Sequence, residues 1–244
     1  MAGWKIAPAY AALAEKFGSL DAVFALKGEE VTRDALSEVI RVECDGGNYY
    51  VKRYRSAGKG IRAYLPRPRI KAEWQNLHRF KEWGIPTADV VAWGLQRKRG
   101  AFVRGALVTK ELPATENLWM LSHLGDSRLC DMAWIDQVSV QLAVSTRRMH
   151  DHSFTHNDLK WRNLLVNDEG KLFFIDCPTG GFWCWPFLAY RIVKDLACLD
   201  KVARKVLSRS QRLRFYLQYS GVKRLSAYDK RRVQKIVKFF EGRE

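Results

Sequence analysis

The sequence has no cysteine pair of the CxxC type, and its five cysteines are odd in number and scattered: Cys44, Cys130, Cys177, Cys184 and Cys198. This disfavours a disulfide scaffold and a structural zinc site, so we expect a reducing, cytoplasmic compartment. No apolar run reaches the roughly 18–20 residues that a membrane-spanning helix needs. Residues 1–20 carry Lys5, Glu15 and Lys16 and lack the pattern of a signal peptide.

Acidic residues are few. Asp and Glu number 26 against 42 Lys and Arg, which gives the 244 residues a net charge of +16. The excess is concentrated at the end of the chain, because residues 201–244 hold 14 basic and 3 acidic side chains. A chain with this net positive charge is expected to bind an anionic partner, namely a nucleic acid, an acidic membrane surface or a phosphorylated small molecule.

The first half of the chain has the pattern of a small antiparallel sheet. Residues 20–55 are predicted as strands, with residues 39–44 and 49–54 joined by a turn at Asp45-Gly46-Gly47-Asn48, where glycine tolerates positive φ. A helix is predicted over residues 71–83, ended by Gly84 and Pro86. Two further strands are predicted at residues 90–95 and 101–109.

After residue 112 the pattern becomes mostly helical. Residues 134–150 predict a long helix, and helices resume near Phe187. Between them, residues 163–166 and 172–175 predict one hairpin. The expected fold class is therefore α+β, with an N-terminal sheet and one helix in residues 1–111 and a helical part in residues 112–244.

The stretch from His156 to Asn163 has the pattern H-x-D-x-x-x-x-N, and Asp176 follows at the end of a predicted strand. Phosphoryl transfer from ATP needs a carboxylate that orients the attacking hydroxyl, an amide and a second carboxylate that hold Mg²⁺, and a cation that neutralises the developing charge. The pattern supplies these groups. Asp158 is the candidate base and Lys160 the candidate contact to the γ-phosphate. Asn163 and Asp176 are the candidate metal ligands.

This pattern resembles the protein-kinase-like superfamily, and the resemblance extends upstream. Lys52, at the end of a predicted strand, is similar to the kinase lysine that binds the α- and β-phosphates. Glu73, 21 residues later in the predicted helix, is its expected partner. Glu111 and Leu112 stand where a hinge between two lobes would offer backbone groups to adenine. The resemblance implies a two-lobed protein-kinase-like fold that binds ATP and Mg²⁺ in the cleft between its lobes.

The sequence differs from those of protein kinases in the segments that would cover the ATP phosphates and dock the acceptor. There is no G-x-G-x-x-G loop, so residues 26–32 would have to cover the phosphates with a single glycine. Asp176 is followed by Cys177 and Pro178 rather than Phe-Gly, and no Ala-Pro-Glu follows. A peptide-docking platform is therefore not expected, which favours a small-molecule or glycan acceptor.

Within the superfamily the sequence is most similar to the lipopolysaccharide core kinases, the heptose/Kdo kinase family of Gram-negative bacteria. Four segments carry this likeness: residues 49–54, Ala72-Glu73-Trp74 with Leu77 and residues 84–87, the loop around 156–158, and residues 194–197. The resemblance implies ATP-dependent phosphorylation of a heptose or Kdo hydroxyl of the lipopolysaccharide inner core, at the cytoplasmic side of the inner membrane. It also implies that Asp195 braces the catalytic loop.

Several alternatives stay open at this point. Another small-molecule or protein kinase of this fold, or a pseudokinase or scaffold in lipopolysaccharide biosynthesis, has the same pattern. The charge alone suggests a nucleic-acid-binding protein, but no nucleic acid is expected because no zinc finger, RRM motif or clear helix-turn-helix is present. His150, His152 and His156 lack the H-E-x-x-H arrangement of a zinc site, and His156 is instead expected to brace the loop by hydrogen bonding.

Three further groups of residues complete the predictions. The aromatic run at residues 182–187 is predicted as core beneath the catalytic loop, with a platform for a sugar or for the membrane as the alternative. Residues 223–240 form a basic amphipathic segment, interpreted as a contact to the anionic inner membrane or as a solvated helix face. A set of cations is expected to attract an anionic acceptor: Lys59, Arg62, Arg67, Arg69 and Lys71.

Overall fold

The computed structural model describes residues 3–56, 63–65 and 67–242. The chain divides into two compact units, the first comprising residues 1–79 and 88–112 and the second residues 80–87 and 113–244. The predicted boundary after residue 111 lies next to this division. Residues 80–87, which the prediction counted with the N-terminal part, belong to the second unit.

The first unit contains one six-stranded antiparallel sheet. Its strands lie in the order β1-β5-β6-β4-β3-β2. Their bounds are β1 (Gly3–Ile6), β2 (Glu29–Arg33), β3 (Ser37–Cys44), β4 (Gly47–Tyr54), β5 (Val90–Lys98) and β6 (Ala101–Lys110). Alternate residues of β3 and β4 are buried, which places Val51 in the core and Lys52 on the opposite face. The sheet was predicted correctly as antiparallel, but β1, which is only four residues long, was missed.

The β3–β4 hairpin follows directly from its turn residues. Asp45 and Gly46 have φ angles of 48° and 72°, the left-handed conformation that a two-residue hairpin turn requires and that Asp-Gly adopts readily. The ladder continues to the pair Cys44 and Gly47, so the turn is two residues shorter than predicted. This register sets Lys52 opposite Val39 on one side and Leu107 on the other.

Helical segments precede and follow this hairpin. The helices are α1 (Ala14–Phe17), α2 (Leu20–Ala25) and α3 (Arg69–Glu82). The prediction of strands from residue 20 was wrong for α2, because Ser19 caps this helix by accepting from the Ala22 amide, 3.0 Å away. At the end of α3, Gly84 has a φ of +65° and the Ile85 amide donates to the Phe80 carbonyl, which terminates the helix as predicted.

The attraction of an anionic acceptor by the cations around the start of α3 stays a prediction. Lys59 and Arg62 lie outside the described residues, and Arg69 and Lys71 lie in the first turn of α3. Arg67 donates to the side chains of Gln75 and Asn76 at 2.9 and 2.7 Å, so its guanidinium is hydrogen-bonded to α3.

The second unit is mostly helical, which together with the sheet of the first unit confirms the α+β class. Its helices are α4 (Leu118–Leu124), α5 (Met132–Asp151), α6 (Phe187–Val206), α7 (Arg209–Ser220) and α8 (Ala227–Val237). Polar residues cap the N-termini of two of these helices. Asp131 accepts from two amides of α5, and Ser226 and Asp229 form a capping box on α8. None of the helices within the described ranges is long and apolar enough to cross a membrane.

Short strands frame the segment between α5 and α6. The predicted hairpin is present as β9 (Leu164–Asn167) and β10 (Leu172–Phe174), and β7 (Thr115–Asn117) adds a third strand. A two-stranded ladder joins β8 (Phe154–Thr155) to β11 (Gly181–Phe182). The loop with the H-x-D-x-x-x-x-N pattern runs between β8 and β9, and Asp176 follows β10.

Candidate active site

Lys52 and Glu73 form an ion pair within the first unit. The Nζ of Lys52 lies 3.1 and 3.0 Å from the two carboxylate oxygens of Glu73, which is 5% exposed. The Tyr54 hydroxyl donates to the same carboxylate at 3.3 Å. The predicted pairing is confirmed, while the role in ATP binding stays a prediction. Tyr54 was missed, although its position two residues along the strand places it on the same face as Lys52.

The predicted hinge residues stand at the end of β6. The Glu111 carboxylate accepts from Arg41 Nε and Nη2 at 2.8 and 3.0 Å and from the Tyr50 hydroxyl at 3.1 Å. The hydrogen bond from Arg41 lowers the pKa of Glu111 below its usual value. The Glu111 amide donates to the Asn48 carbonyl at 2.9 Å, and the role of Glu111 in contacting adenine stays a prediction. Leu112 is the last residue of the first unit.

The loop after β8 is held by a buried carboxylate. Asp195 in α6 has no exposed surface, and its two oxygens accept from the amides of His156 and Asn157 at 2.8 and 2.9 Å. Two amides bound to one carboxylate fix the backbone of the loop, including the left-handed φ of +65° at Asn157. The bracing role expected for Asp195 from the resemblance is thereby confirmed.

Asp158 lies next in the loop between two cations. Lys160 Nζ is 2.6 Å from Oδ1 of Asp158, and Arg162 Nη2 is 3.6 Å from Oδ2. Partial burial by itself raises the pKa of Asp158, but the hydrogen bond and charge of Lys160, together with Arg162, outweigh it and leave the pKa below 3.8. Asp158 is therefore ionised at neutral pH and able to accept a hydrogen bond from a hydroxyl.

Asn163 is brought next to Asp158. Its Nδ2 donates to the Asp158 carbonyl at 2.9 Å and to Oδ2 at 3.4 Å, which leaves Oδ1 as the atom able to bind a cation. The Ile175 amide donates to the Asn163 carbonyl at 3.0 Å and so ties the residue before Asp176 to this loop. Asp176 has a left-handed φ of +55°. No cluster of three or more His, Cys, Asp or Glu able to hold a metal occurs in the described ranges.

The His156 ring is fully buried and stacks on Phe80, with ring centroids 6.1 Å apart. Burial lowers the pKa of His156, while Asp195, Asp176 and Asp158 act in the opposite direction, so all three carboxylates lie within electrostatic reach of this ring. The sequence predicted that His156 braces the loop by hydrogen bonding. The structure shows that its backbone does so: the amide donates to Asp195, and the carbonyl accepts from Thr179 at 3.3 Å.

A buried polar chain extends from Asp195 and was missed by sequence reasoning. His150 Nε2 lies 3.4 Å from Asp195 Oδ2, and His150 Nδ1 lies 2.8 Å from the Tyr219 hydroxyl. Arg232 in α8 donates to that hydroxyl at 3.0 Å. The sequence predicts His150 as the end of the long helix but does not indicate its polar contacts. No local pattern marks Tyr219 or Arg232, which lie 69 and 82 residues further along the chain.

The aromatic run after β11 is exposed, not buried. Phe182, Trp185 and Phe187 are 53%, 74% and 61% exposed, so the predicted position in the core is wrong for these three residues. Only Trp183 is partly covered, where the guanidinium of Arg191 lies 4.3 Å from its ring centroid. The alternative, a platform, stays open.

Comparisons with known proteins show which chains are similar to this one. The family model described as "Lipopolysaccharide kinase (Kdo/WaaP) family" matches residues 21–219. The lipopolysaccharide core heptose(I) kinase WaaP of Pseudomonas aeruginosa is 33% identical over 109 residues, which cover 42% of this chain and 41% of that protein. The 3-deoxy-D-manno-octulosonic acid kinase of Vibrio cholerae is 26% identical over 104 residues, or 43% and 41% of the two chains. The match thus spans less than half the length of either curated relative.

A solved structure, "WaaP in complex with acyl carrier protein", is similar with a TM-score of 0.77 and 24% sequence identity. The likeness covers 99% of this chain and 97% of that one. It confirms the predicted two-lobed, kinase-like α+β fold.

Proposed function

Because this chain belongs to the lipopolysaccharide kinase (Kdo/WaaP) family, we propose that it transfers the γ-phosphoryl group of ATP to a heptose or Kdo hydroxyl of the lipopolysaccharide inner core. The observation that supports the proposal most strongly is the loop at residues 156–163. There Asp158 is ionised, paired with Lys160 at 2.6 Å and hydrogen-bonded by Asn163, on a backbone fixed by Asp195.

Each residue of the loop has a distinct role in this reaction. Asp158 accepts the hydrogen bond of the sugar hydroxyl and orients its oxygen towards the phosphorus. Because its pKa is lowered, Asp158 acts mainly by orientation and takes up the proton as the P–O bond forms. Lys160 holds Asp158 in place and supplies positive charge to the transferring group.

Asn163 and Asp176 fit a magnesium ion. Mg²⁺ prefers hard oxygen ligands and is held in phosphoryl-transfer sites by few protein groups, the remainder being phosphate oxygens and water. The Oδ1 of Asn163 and the Asp176 carboxylate are donors of this kind. When bound, the ion neutralises charge on the phosphate oxygens. In the first unit, Lys52 would bind the α- and β-phosphates, with Glu73 and Tyr54 holding its ammonium, and the backbone of Glu111 and Leu112 would contact adenine.

The acceptor would be reached at the cytoplasmic face of the inner membrane. Six exposed cations lie on α8 or directly beside its two ends: Lys223, Arg224, Lys230, Arg231, Lys235 and Lys238. Each cation near an anionic lipid surface contributes about 1 kcal/mol to binding. We therefore assign this surface to the membrane. Binding to phosphatidylglycerol vesicles should weaken in high salt and in the Lys230→Gln/Lys235→Gln variant, but not in Lys5→Gln.

The substrate is tested with labelled ATP and lipopolysaccharide from defined core-truncation strains, locating the new phosphate by mass spectrometry and NMR. We expect one phosphate on a heptose or Kdo hydroxyl, and none with acceptors that lack that sugar. Phosphate on a peptide or on a free small molecule instead would show another acceptor class. Stabilisation by Mg-ATP without any transfer would favour a pseudokinase or scaffold.

A further inference from the structure

Four large aromatic side chains are exposed within nine residues at the start of α6. Phe182, Trp185, Phe187 and Tyr190, here called the aromatic patch, have 53%, 74%, 61% and 51% of their surface exposed. Single exposed aromatics are ordinary on protein surfaces, whereas four large exposed aromatics within nine residues are unusual and indicate a binding surface.

The segment that carries the patch is attached to the catalytic loop. Phe182 in β11 pairs with Phe154 in β8, the strand that leads into the loop. Asn157, the neighbour of Asp158, donates through Nδ2 to the Thr179 carbonyl at 2.8 Å and accepts at Oδ1 from Arg191 at 3.3 Å. Residues on both sides of the aromatic run therefore hold the residue next to the candidate base.

Helix geometry places part of the patch on the side of α6 that meets the loop. Arg191 donates to the Asn157 side chain at 3.3 Å, and Lys194 Nζ donates to the Asn157 backbone carbonyl at 3.1 Å. Phe187 and Tyr190 lie four residues before these two cations, and residues four apart lie one above the other on a helix. This face thus carries, in order, two exposed aromatic rings and two cations that reach the loop.

We propose that the aromatic patch is a subsite for a pyranose ring of the acceptor glycan, next to the sugar that receives phosphate. This inference rests on the proposed function and names residues that select its substrate. One face of a pyranose presents C–H groups, which pack against the electron-rich face of an aromatic ring, while the hydroxyls at the sugar's rim remain available to polar groups. Lys160 and Arg162 beside Asp158, both partly exposed, suit a glycan that carries anionic substituents.

The attachment to the loop favours a sugar over a lipid bilayer as the occupant. The hydroxyl that is phosphorylated must lie against Asp158, and the patch is joined to the neighbouring residue by direct contacts. A neighbouring sugar of the same glycan therefore fits the position of the patch. Membrane binding is assigned above to the cations on and beside α8. The patch borders that surface where the Tyr190 ring centroid lies 5.7 Å from that of Phe239, so the vesicle measurement below distinguishes the two occupants.

The test uses the full chain, ATP and deacylated, water-soluble inner-core oligosaccharide, so that no membrane is present. Trp185→Ala and Phe187→Ala should each raise KM for the oligosaccharide about tenfold, while KM for ATP and the melting temperature stay unchanged. Trp185→Phe should restore most of the affinity. Tyr228→Ala removes an equally exposed aromatic of α8 and should have no effect. An unchanged KM in both patch variants would overturn the proposal.

Two further measurements separate this inference from the proposed function. Saturation-transfer NMR reports binding of the oligosaccharide whether or not phosphate is transferred. Sugar C–H signals that saturate with wild type and weaken in Trp185→Ala would support the subsite even if no transfer occurred. Absence of binding by wild type would overturn it. A loss of binding to phosphatidylglycerol vesicles in Trp185→Ala, with an unchanged KM for the oligosaccharide, would identify the patch as a membrane contact and contradict the proposal.

Discussion

Lys52 and Glu73 lie 21 residues apart in the sequence, yet the Lys52 ammonium contacts both oxygens of the Glu73 carboxylate, at 3.1 and 3.0 Å. The pair joins β4, the second strand of the β3–β4 hairpin, to helix α3 of the same unit. Glu73 is buried, so its charge depends on Lys52 and on the Tyr54 hydroxyl for compensation. This arrangement fixes the ammonium at one place on the sheet surface.

Glu73→Gln is expected to lower kcat/KM for ATP, because the ammonium loses the charge that positions it. A displacement of about 1 Å can cost up to about 100-fold in rate. KM for the acceptor should not change. Glu82→Gln, which alters an exposed glutamate of the same helix, is the matched control. Equal kinetic constants for the two variants would show that the pair of Lys52 and Glu73 does not contribute to ATP binding.

Asp195→Asn is expected to loosen the catalytic loop. The amide group of asparagine presents one acceptor where the carboxylate presents two, so one of the His156 and Asn157 amides loses its partner. An unsatisfied buried donor costs about 1–3 kcal/mol in the free energy of unfolding. Denaturant unfolding and steady-state kinetics should show lower stability together with lower kcat. Asp200→Asn, one turn further along α6, should leave kcat unchanged.

Tyr219→Phe tests the buried chain from Arg232 to Asp195. The change removes the hydroxyl that Arg232 and His150 share and leaves the ring in place. Removing a typical buried hydrogen bond costs about 1 kcal/mol. We expect a lower melting temperature, with a smaller loss of kcat than in Asp195→Asn. Tyr228→Phe on the surface of α8 should match wild type, and a Tyr219→Phe melting temperature equal to wild type would show that the chain contributes no stability.

Acid should remove a stabilising contribution from Asp126. The hydrogen bond from Arg128 and the Arg128 backbone amide lower the pKa of Asp126 from 3.8 to about 2. A lowered pKa in the folded state stabilises the protein above pH 3.8, and this contribution is lost as the pH falls towards 2. Wild type should therefore exceed Asp126→Asn in stability at pH 6, with a gap that closes as the pH falls below 3.8. A gap independent of pH would contradict the assignment.

Local patterns predicted the parts of the molecule that depend on neighbouring residues. Asp45-Gly46 defined the hairpin turn, and the pattern from His156 to Asn163 was predicted as a loop that leads into a strand. The short strand β8 before this loop was not predicted. The pairing of Lys52 with Glu73 was also predicted, because both residues match positions of a known family.

Features that depend on distant residues could not be predicted. Tyr219 and Arg232 reach the loop through His150, and nothing in their immediate sequence marks them. Residues 182–187 have the composition of a core segment, and only the structure shows that most of these side chains remain exposed. The helix at Leu20–Ala25 is six residues long, too short for its period to stand out from a strand.

Phosphate transfer by Asp158→Ala tests the role of the loop at residues 156–163. We expect this variant to transfer no measurable phosphate from labelled ATP to the inner core, while its affinity for Mg-ATP, measured by calorimetry, stays close to that of wild type. Glu169→Gln, an exposed acid of the same unit, should retain full transfer. A wild-type rate of transfer in Asp158→Ala would contradict the assignment of the catalytic loop.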